Sequence, residues 1–307
     1  MPKDFLTVAD WTADELGELL ARAQVLRRLH RSGERPQTLQ GRTLAMYFEK
    51  PSLRTHVTFE AGMEQLGGHA VLLRPEQVGI GTRETPRDVA LNLSRWVDVI
   101  MARTFSHSLI EQLAEEASIP VINGLTDLLH PCQAMADLQT IAEIKDPREA
   151  TVAYVGDGNN VAHSLMLLCA VMGMRICIAA PEGHQPDVRI QGQADTLAAR
   201  SGAEIKITED PAEAVAGVDF IYTDTWTSMG QEEEADWRRQ VFAPYQVNAK
   251  LVELAPKAWL MHCLPAHRGE EITSELLDGD RSLVFEQAEN RLHAQKAILE
   301  HLLLSRS

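Results

Sequence analysis

Pro51-Ser52-Leu53-Arg54-Thr55 sets two hydroxyls and a guanidinium at the start of a helical run. A helix start carries unpaired N–H groups and a partial positive charge, so it attracts anions. Ser52 and Thr55 add hydroxyl donors, and Arg54 adds a forked, permanent charge. That chemistry suits a phosphate, although no Walker-type glycine loop accompanies it. The plainer reading is a helix cap followed by a surface arginine.

Four other clusters carry comparable chemistry. His130 precedes Pro131 at a second expected helix start, with Gln133 on the same face. The pair is either a polar first turn or two neutral donors for a carbonyl or amide. In "GDGNN", Gly156 and Gly158 match the first two glycines of the dinucleotide fingerprint, but Val161 fills the third position. The third-glycine contact is therefore missing, and the asparagines suit a turn or an amide contact to a polar substrate. Asp224 and Ser228 have the groups to pair an ammonium, with Trp226 between them as packing. His262, Cys263 and His267 suggest zinc, but the ligand set is incomplete and adjacent strand side chains alternate faces, so no metal is expected. Cys263 is then either a small buried hydrophobe or a polar thiol beside an acid.

The elements that must position these residues follow an alternating pattern. Apolar runs at 43–48, 69–73, 97–102 and 120–123 read as strands, as do 151–156, 175–180, 203–208, 219–224 and 258–263. Helical periodicity fills the gaps between them. Thr12 and Glu15 have capping-box spacing before a helix over 12–31, another helix follows Pro131 to about 143, and the chain closes with a helix over 287–304. Residues 145–150 read as a joint between domains. The expected fold class is α/β, with two domains, each a parallel sheet flanked by helices. Ligands of such sheets bind beyond the carboxyl ends of the strands, where Arg103, Asp224 and Cys263 fall, so a cleft between the domains is the expected site.

Composition excludes several classes. The 307 residues are 45% hydrophobic, enough for two domains with real cores. The net charge of −15 argues against nucleic acid, whose phosphates need basic surface. Cysteines at 132, 169, 177 and 263 make no disulfide framework, which points to a reducing cytoplasm. No run has the length of a signal-peptide core or a membrane span.

In order, "FEKPSLRT", "MARTFSH", "HPCQAMADL", "VGDGNNVAHS", "DTWTSMGQEEE", "HCLPAHRGEE" and "VFEQAENR" resemble the signature blocks of the ornithine-specific members of the aspartate/ornithine carbamoyltransferase family. The resemblance covers about residues 40–305, and the Ser-Met-Gly and His-Cys-Leu-Pro blocks separate it from the aspartate-specific branch. It implies a carbamoyl phosphate-binding domain over 1–143, an ornithine-binding domain over 144–288, and a C-terminal helix, 289–307, returning to the first domain. Carbamoyl phosphate would be gripped by Ser52, Leu53, Arg54, Thr55, Arg103, His130, Gln133 and Arg291, with the Cys263–Leu264 backbone. Ornithine would be held by Asn160, Asp224, Ser228 and Met229. Gln77 matches a residue that reaches into a neighbouring subunit's site in a homotrimer. Leu53 stands where the usual motif has threonine, so its part would be through backbone N–H. The loop after Gln77 is about two residues longer than the commonest version.

The implied reaction is attack by the neutral δ-amine of ornithine on the carbonyl carbon of carbamoyl phosphate, giving citrulline and phosphate in arginine metabolism. Arg103, His130 and Cys263 would be its catalytic groups, with Cys263 as proton acceptor and no cofactor or metal. Two other readings remain. A diamine such as putrescine would need no α-carboxylate contact, and a non-catalytic binding subunit would make no citrulline.

Overall fold

The computed structural model describes residues 3–304; residues 1–2 and 305–307, the outer ends of the expected first domain and closing helix, lie outside the described residues. The expected apolar runs form strands β1 (Thr43–Phe48), β2 (His69–Leu73), β3 (Val99–Arg103) and β4 (Val121–Leu125). The second set is β5 (Thr151–Val155), β6 (Arg175–Ala179), β7 (Glu204–Thr208), β8 (Phe220–Thr223) and β9 (Trp259–His262). They make a four-stranded sheet, β2-β1-β3-β4, and a five-stranded sheet, β7-β6-β5-β8-β9. Every pairing is parallel. Helices fill the crossovers, as parallel connections require.

The burial pattern explains the composition of the strands. β3, inside the first sheet, is buried at every position and close to continuously apolar, and β4 is buried throughout although it lies at the sheet edge, where Phe5 pairs with Ile122. Edge strands β2 and β7 alternate in exposure, which matches the polar-apolar alternation of Glu204–Thr208. The first sheet buries Ala45, Tyr47, Ile100 and Ala102 against Val89, Ile110 and Leu113 from its helices. The second buries Ala153, Val155, Ile221 and Leu260 with Val247, Ile272 and Val284. Helix Asn160–Met172 is buried from Val161 to Met172, which accounts for its apolar residues on every face.

The chain divides into two units, Met1–Gln139 with Glu289–Ser307, and Thr140–Ala288. Both divisions fall inside helices, Pro131–Ala142 and Val284–Leu304. Residues 145–150 hold the 3-10 turn Pro147–Glu149 and belong to the second unit. There Lys145 Nζ donates to Asp219 Oδ2 at 2.8 Å, fastening the segment beside β8. The C-terminal helix packs on the first unit through Arg22–Glu300, Lys296–Gln65 and Arg291–Thr55 contacts.

In each sheet the strand order reverses once, between β1 and β3 and between β5 and β8. Loops leaving the carboxyl ends of such neighbours diverge and open a crevice. Ser52 and Arg103 follow or end β1 and β3, while Asn160 and Asp224 follow β5 and β8.

Candidate active site

Ser52 is the N-cap of helix Leu53–Gln65, and its Oγ accepts from Thr55 N at 3.2 Å. The first turn has no acidic residue, so nothing there neutralises the helix start. Arg54 is half-buried, whereas Leu53 is 74% exposed. Leu53 therefore turns its side chain to the outside and leaves only backbone to the cap.

Thr55 is fully buried and gathers the arginines. Its Oγ1 accepts from Arg291 Nη2 at 3.0 Å and from Arg103 Nη1 at 3.4 Å. Arg103 comes from the end of β3, where it lies beside Phe48 in the ladder. Arg291 comes from the C-terminal helix and also donates Nη1 to Gln133 Oε1 at 2.8 Å. Gln133 Nε2 in turn donates to Asp137 Oδ1 at 2.8 Å, one turn along the same helix. Arg103 and Arg291 are 6% and 2% exposed, an unusual burial of two cations in a chain of net charge −15. Buried charge is retained where it is paired or has work to do on a ligand.

His130 completes this cluster. Burial drives its imidazole well below the usual range, and the charges of Arg291, Arg103 and Arg54 push the same way. The ring is neutral at physiological pH and offers one N–H. Cys132, two residues on, is ordinary core. Its thiol donates to the Asn123 carbonyl at 3.3 Å, and burial pushes it up to about 12. The first unit thus gathers Ser52, Arg54, Thr55, Arg103, His130, Gln133 and Arg291 into one cationic, largely buried cradle whose chemistry suits an anion. Gln77 lies elsewhere, exposed on the turn Pro75–Val78 beyond edge strand β2, with its Oε1 accepting from Arg74 N at 3.4 Å.

In the second unit, Cys263 Sγ donates to Asp224 Oδ1 at 3.0 Å. Asp224 is 7% exposed, and its other oxygen accepts from Asn159 Nδ2 at 2.9 Å. Asn159 is the N-cap of helix Asn160–Met172, taking Val161 N and Ala162 N on its Oδ1. The adjacent asparagines therefore divide the labour: Asn159 caps and clamps Asp224, and half-buried Asn160 opens the helix beside it. Gly158 is required here. A Cβ would lie 2.3 Å from Pro186 N and 2.4 Å from Gln185 C. Of the two glycines that resemble a dinucleotide motif, Gly158 serves this backbone approach and Gly156 supplies a φ of 139°. Ser228 N donates to Gln231 Oε1 at 3.1 Å, and Met229 is 42% exposed. Among the described residues neither hydrogen-bonds Asp224.

The expectation that His262 and Cys263 point apart needs correction. Their ligand atoms and that of Asp224 lie within 4.8 Å of one another. Strand β9 ends at His262, and Leu264 has φ 59°, so the alternation of an extended strand no longer applies. The ring is nevertheless committed. His262 Nδ1 accepts from Leu264 N at 2.8 Å, so Nε2 carries the proton toward Glu271 Oε1 at 3.0 Å. No lone pair remains for a metal unless one of these bonds breaks. The sequence marks His262 only as a candidate zinc ligand and Asn159 only as one of two asparagines suited to a turn or an amide contact, and it does not mark Glu271 at all. A capping asparagine after a strand was the available signal for Asn159.

Residues 3–143 match the carbamoyl-P binding domain of the aspartate/ornithine carbamoyltransferase family, and residues 148–302 match its Asp/Orn binding domain. The chain is 54% identical over 303 residues to an ornithine carbamoyltransferase of Anoxybacillus flavithermus, covering 98% of this chain and 96% of the relative. An anabolic ornithine carbamoyltransferase of Pyrococcus furiosus is 50% identical over 299 residues, covering 97% and 95%. The solved ornithine carbamoyltransferase structure from Pyrococcus furiosus superimposes with a TM-score of 0.95 at 49% identity, covering 98% of this chain and 97% of that one.

Proposed function

This chain belongs to the aspartate/ornithine carbamoyltransferase family, and from that premise we infer that it transfers the carbamoyl group of carbamoyl phosphate to the δ-amine of L-ornithine. The products are L-citrulline and phosphate, a step of arginine biosynthesis. The observation that carries this reading is the buried cluster of Arg103 and Arg291 on the Thr55 hydroxyl, at a helix start with no acid in its first turn.

Residues 1–143 with the closing helix 289–307 serve as the carbamoyl phosphate domain, and residues 144–288 as the ornithine domain. Ser52, Arg54, Thr55 and the Leu53 N–H take the phosphate oxygens. Arg103 and neutral His130 donate to the carbonyl oxygen as negative charge develops there; losing one such donor typically costs ~10²–10³ in rate. Gln133, Arg291 and the Cys263–Leu264 backbone orient the carbamoyl amide. Asn160, Ser228 and the Met229 backbone take the α-groups of ornithine together with Asp224.

A free alkyl ammonium titrates near ~10.4, so the δ-amine must lose a proton before it has a lone pair to attack with. Asp224 has spare capacity for this. A carboxylate has about four acceptor positions, and two are filled by Cys263 and Asn159. In the proposed relay, the amine proton passes to Cys263 Sγ as the thiol proton passes to Asp224. The nitrogen then bonds the carbonyl carbon, the bond from that carbon to the bridging oxygen breaks, and phosphate leaves with that electron pair and takes up the second proton that the new C–N nitrogen sheds.

The active assembly is a homotrimer in which Gln77 completes a neighbour's phosphate pocket. Leu53 and Val57, 74% and 51% exposed and four residues apart on one helix, support a covered face there. A cytoplasmic location is supported by four free thiols, and no helix among the described residues is long and apolar enough to cross a membrane. Incubation with carbamoyl phosphate and L-ornithine should yield citrulline and phosphate in equal amounts. Phosphate release without citrulline would sink the assignment.

A further inference from the structure

The anion cradle draws its parts from three different strand ends, and a donor placed 1 Å wrong loses most of its value. Ser52 and Thr55 follow β1, Arg103 ends β3, and His130 and Gln133 follow β4. Backbone bonds extend the ladder a little beyond the strands: Glu49 N donates to Arg103 O at 2.9 Å, and Thr104 N to Leu125 O at 3.0 Å. Past that point a backbone bond still joins the β3 and β4 loops, but the β1 loop is tied to both by side chains.

Glu49 and Lys50 make these ties as a pair. Glu49 Oε2 accepts from Phe105 N at 2.9 Å, joining the β1 loop to the β3 loop. Lys50 Nζ is ion-paired with the Asp127 carboxylate, joining the β1 loop to the β4 loop. The same ammonium lies 4.3 Å from the Phe105 ring centroid, and Asp127 N donates to Phe105 O at 3.0 Å. Lys50 is 3% exposed, whereas Asp127 is open to solvent. Lys50 is two residues from Ser52, and Asp127 is three residues from His130. The ion pair therefore sets the distance between the phosphate end of the cradle and its carbonyl donor.

We propose that Lys50 and Asp127 are positioning residues for carbamoyl phosphate. Their ion pair, seated on Phe105, holds the His130 loop in register with the Ser52–Thr55 turn. This rests on the assignment of the cradle to carbamoyl phosphate. Neither residue touches the substrate. The strap matters only for a ligand that spans both ends, and inorganic phosphate, held by the β1 turn alone, does not need it.

The test is calorimetric titration of the full chain with carbamoyl phosphate and, separately, with inorganic phosphate. The variants are Lys50→Met, Lys50→Arg, Asp127→Asn and the double variant Lys50→Met/Asp127→Asn. Each neutral single variant should weaken carbamoyl phosphate by ~10-fold, the value of one charge-assisted bond. Inorganic phosphate should stay within about twofold, as for a surface substitution. The double variant should be no worse than either single, and Lys50→Arg should restore most of the loss. Lys50→Met and Asp127→Asn change the net charge in opposite directions. If they moved affinity in opposite directions, the effect would be a simple field and the strap would be wrong. Equal losses for both ligands would make Lys50 a phosphate ligand, and unchanged binding would also overturn the proposal. Asp127→Asn alters an exposed side chain, so it decides the matter even if the buried lysine variant misfolds. Failure of the unmodified chain to bind carbamoyl phosphate would overturn the assignment of the cradle itself.

Discussion

Thr55→Val separates two roles that one hydroxyl plays. A threonine oxygen has two acceptor positions and one proton. Arg291 at 3.0 Å and Arg103 at 3.4 Å occupy the acceptor positions, so the proton is directed elsewhere, and in the cradle an anion is the natural recipient. Valine keeps the volume and removes both functions. Loss of the donated bond to a charged oxygen weakens binding by about 1.5–3 kcal/mol. An opposing effect must be weighed. Without the hydroxyl, buried guanidinium donors in the free protein lose an acceptor, and raising the free state would tighten anion binding. Two features limit that gain. The Arg103 contact at 3.4 Å is already long, so little is lost there. With its amide oxygen turned toward Arg291 Nη2, Gln295 accepts at 3.0 Å and replaces the threonine. The donor loss therefore wins, and the dissociation constant for carbamoyl phosphate should rise ~10–100-fold. Thr55→Ser, which keeps the hydroxyl, should lie close to the unmodified chain. Calorimetry of the three proteins decides it. If Thr55→Val binds as tightly as or more tightly than the parent, the hydroxyl is only a resting place for the arginines.

Cys263→Ala should retain carbamoyl phosphate binding but lower turnover by ~10²-fold or more, as for loss of a proton-transfer group; full turnover across a pH–rate profile would reduce the thiol to packing. Putrescine should be a poor acceptor, since its second ammonium can still meet Asp224 but it lacks the α-carboxylate and forfeits the contacts assigned to that group at Asn160 and the Ser228–Met229 turn; comparable kcat/KM for putrescine and ornithine would defeat that account. Gln77→Ala and Arg54→Ala subunits, each feeble alone, should regain part of the activity when unfolded and refolded together, and a mixture no better than the average of its parents would exclude a shared site. Burial pushes the Lys296 ammonium down to about 8 from the usual 10.5. Between those values the unfolded chain binds more protons, so stability should rise as pH climbs from about 8 toward 10.5. Urea unfolding should show that rise flattened in Lys296→Met, and an identical slope would remove Lys296 as its source.

The strands were legible because parallel sheets buried on both faces write apolar, β-branched runs, and each expected run overlaps a strand. The strand ends were less so. The run at 97–102 was expected to begin the strand at Val97, but Val97 caps the preceding helix and β3 starts at Val99. In the site, chemistry carried at one helix start was readable locally: Ser52 as cap and Thr55 beside it. The rest depends on distance in sequence. Arg291 meets Thr55 across 236 positions, and Asp224 meets Cys263 across 39. No local pattern encodes such pairs, and only the ordered family blocks suggested them. Asn159 shows the limit most clearly. The two asparagines are equivalent as letters, and the backbone alone decides that one caps the helix and holds Asp224.

Arg291 also explains why the closing helix is so heavily charged yet buried. A chain of net charge −15 does not attract a phosphate ester by its overall field, so the cations must be local and fixed. Arg291 sits on a helix that contacts the first unit through ionic groups on both sides of it. Glu289 is paired with Arg27 and Arg31; burial pushes its carboxyl up, but hydrogen bonds and charge from these arginines outweigh that and hold it down to about 2. Glu300, 3% exposed, receives Arg22 Nη2 at 2.8 Å and the Thr38 hydroxyl. Between them, Lys296 Nζ reaches Gln65 Oε1 at 3.1 Å, and its stem lies against Gly62 on the same helix that Ser52 caps. Each directional contact restricts sliding or rotation of the helix, which an apolar interface of similar size would restrict less. Arg22 and Arg31 keep 37% and 59% of their side chains in solvent, so water screens these pairs and each contributes only about 0–1 kcal/mol. These pairs are therefore weak evidence for net stability and better understood as a register. They fix the helix by its ends so that one arginine in its body reaches Thr55 and Gln133 at hydrogen-bonding distance.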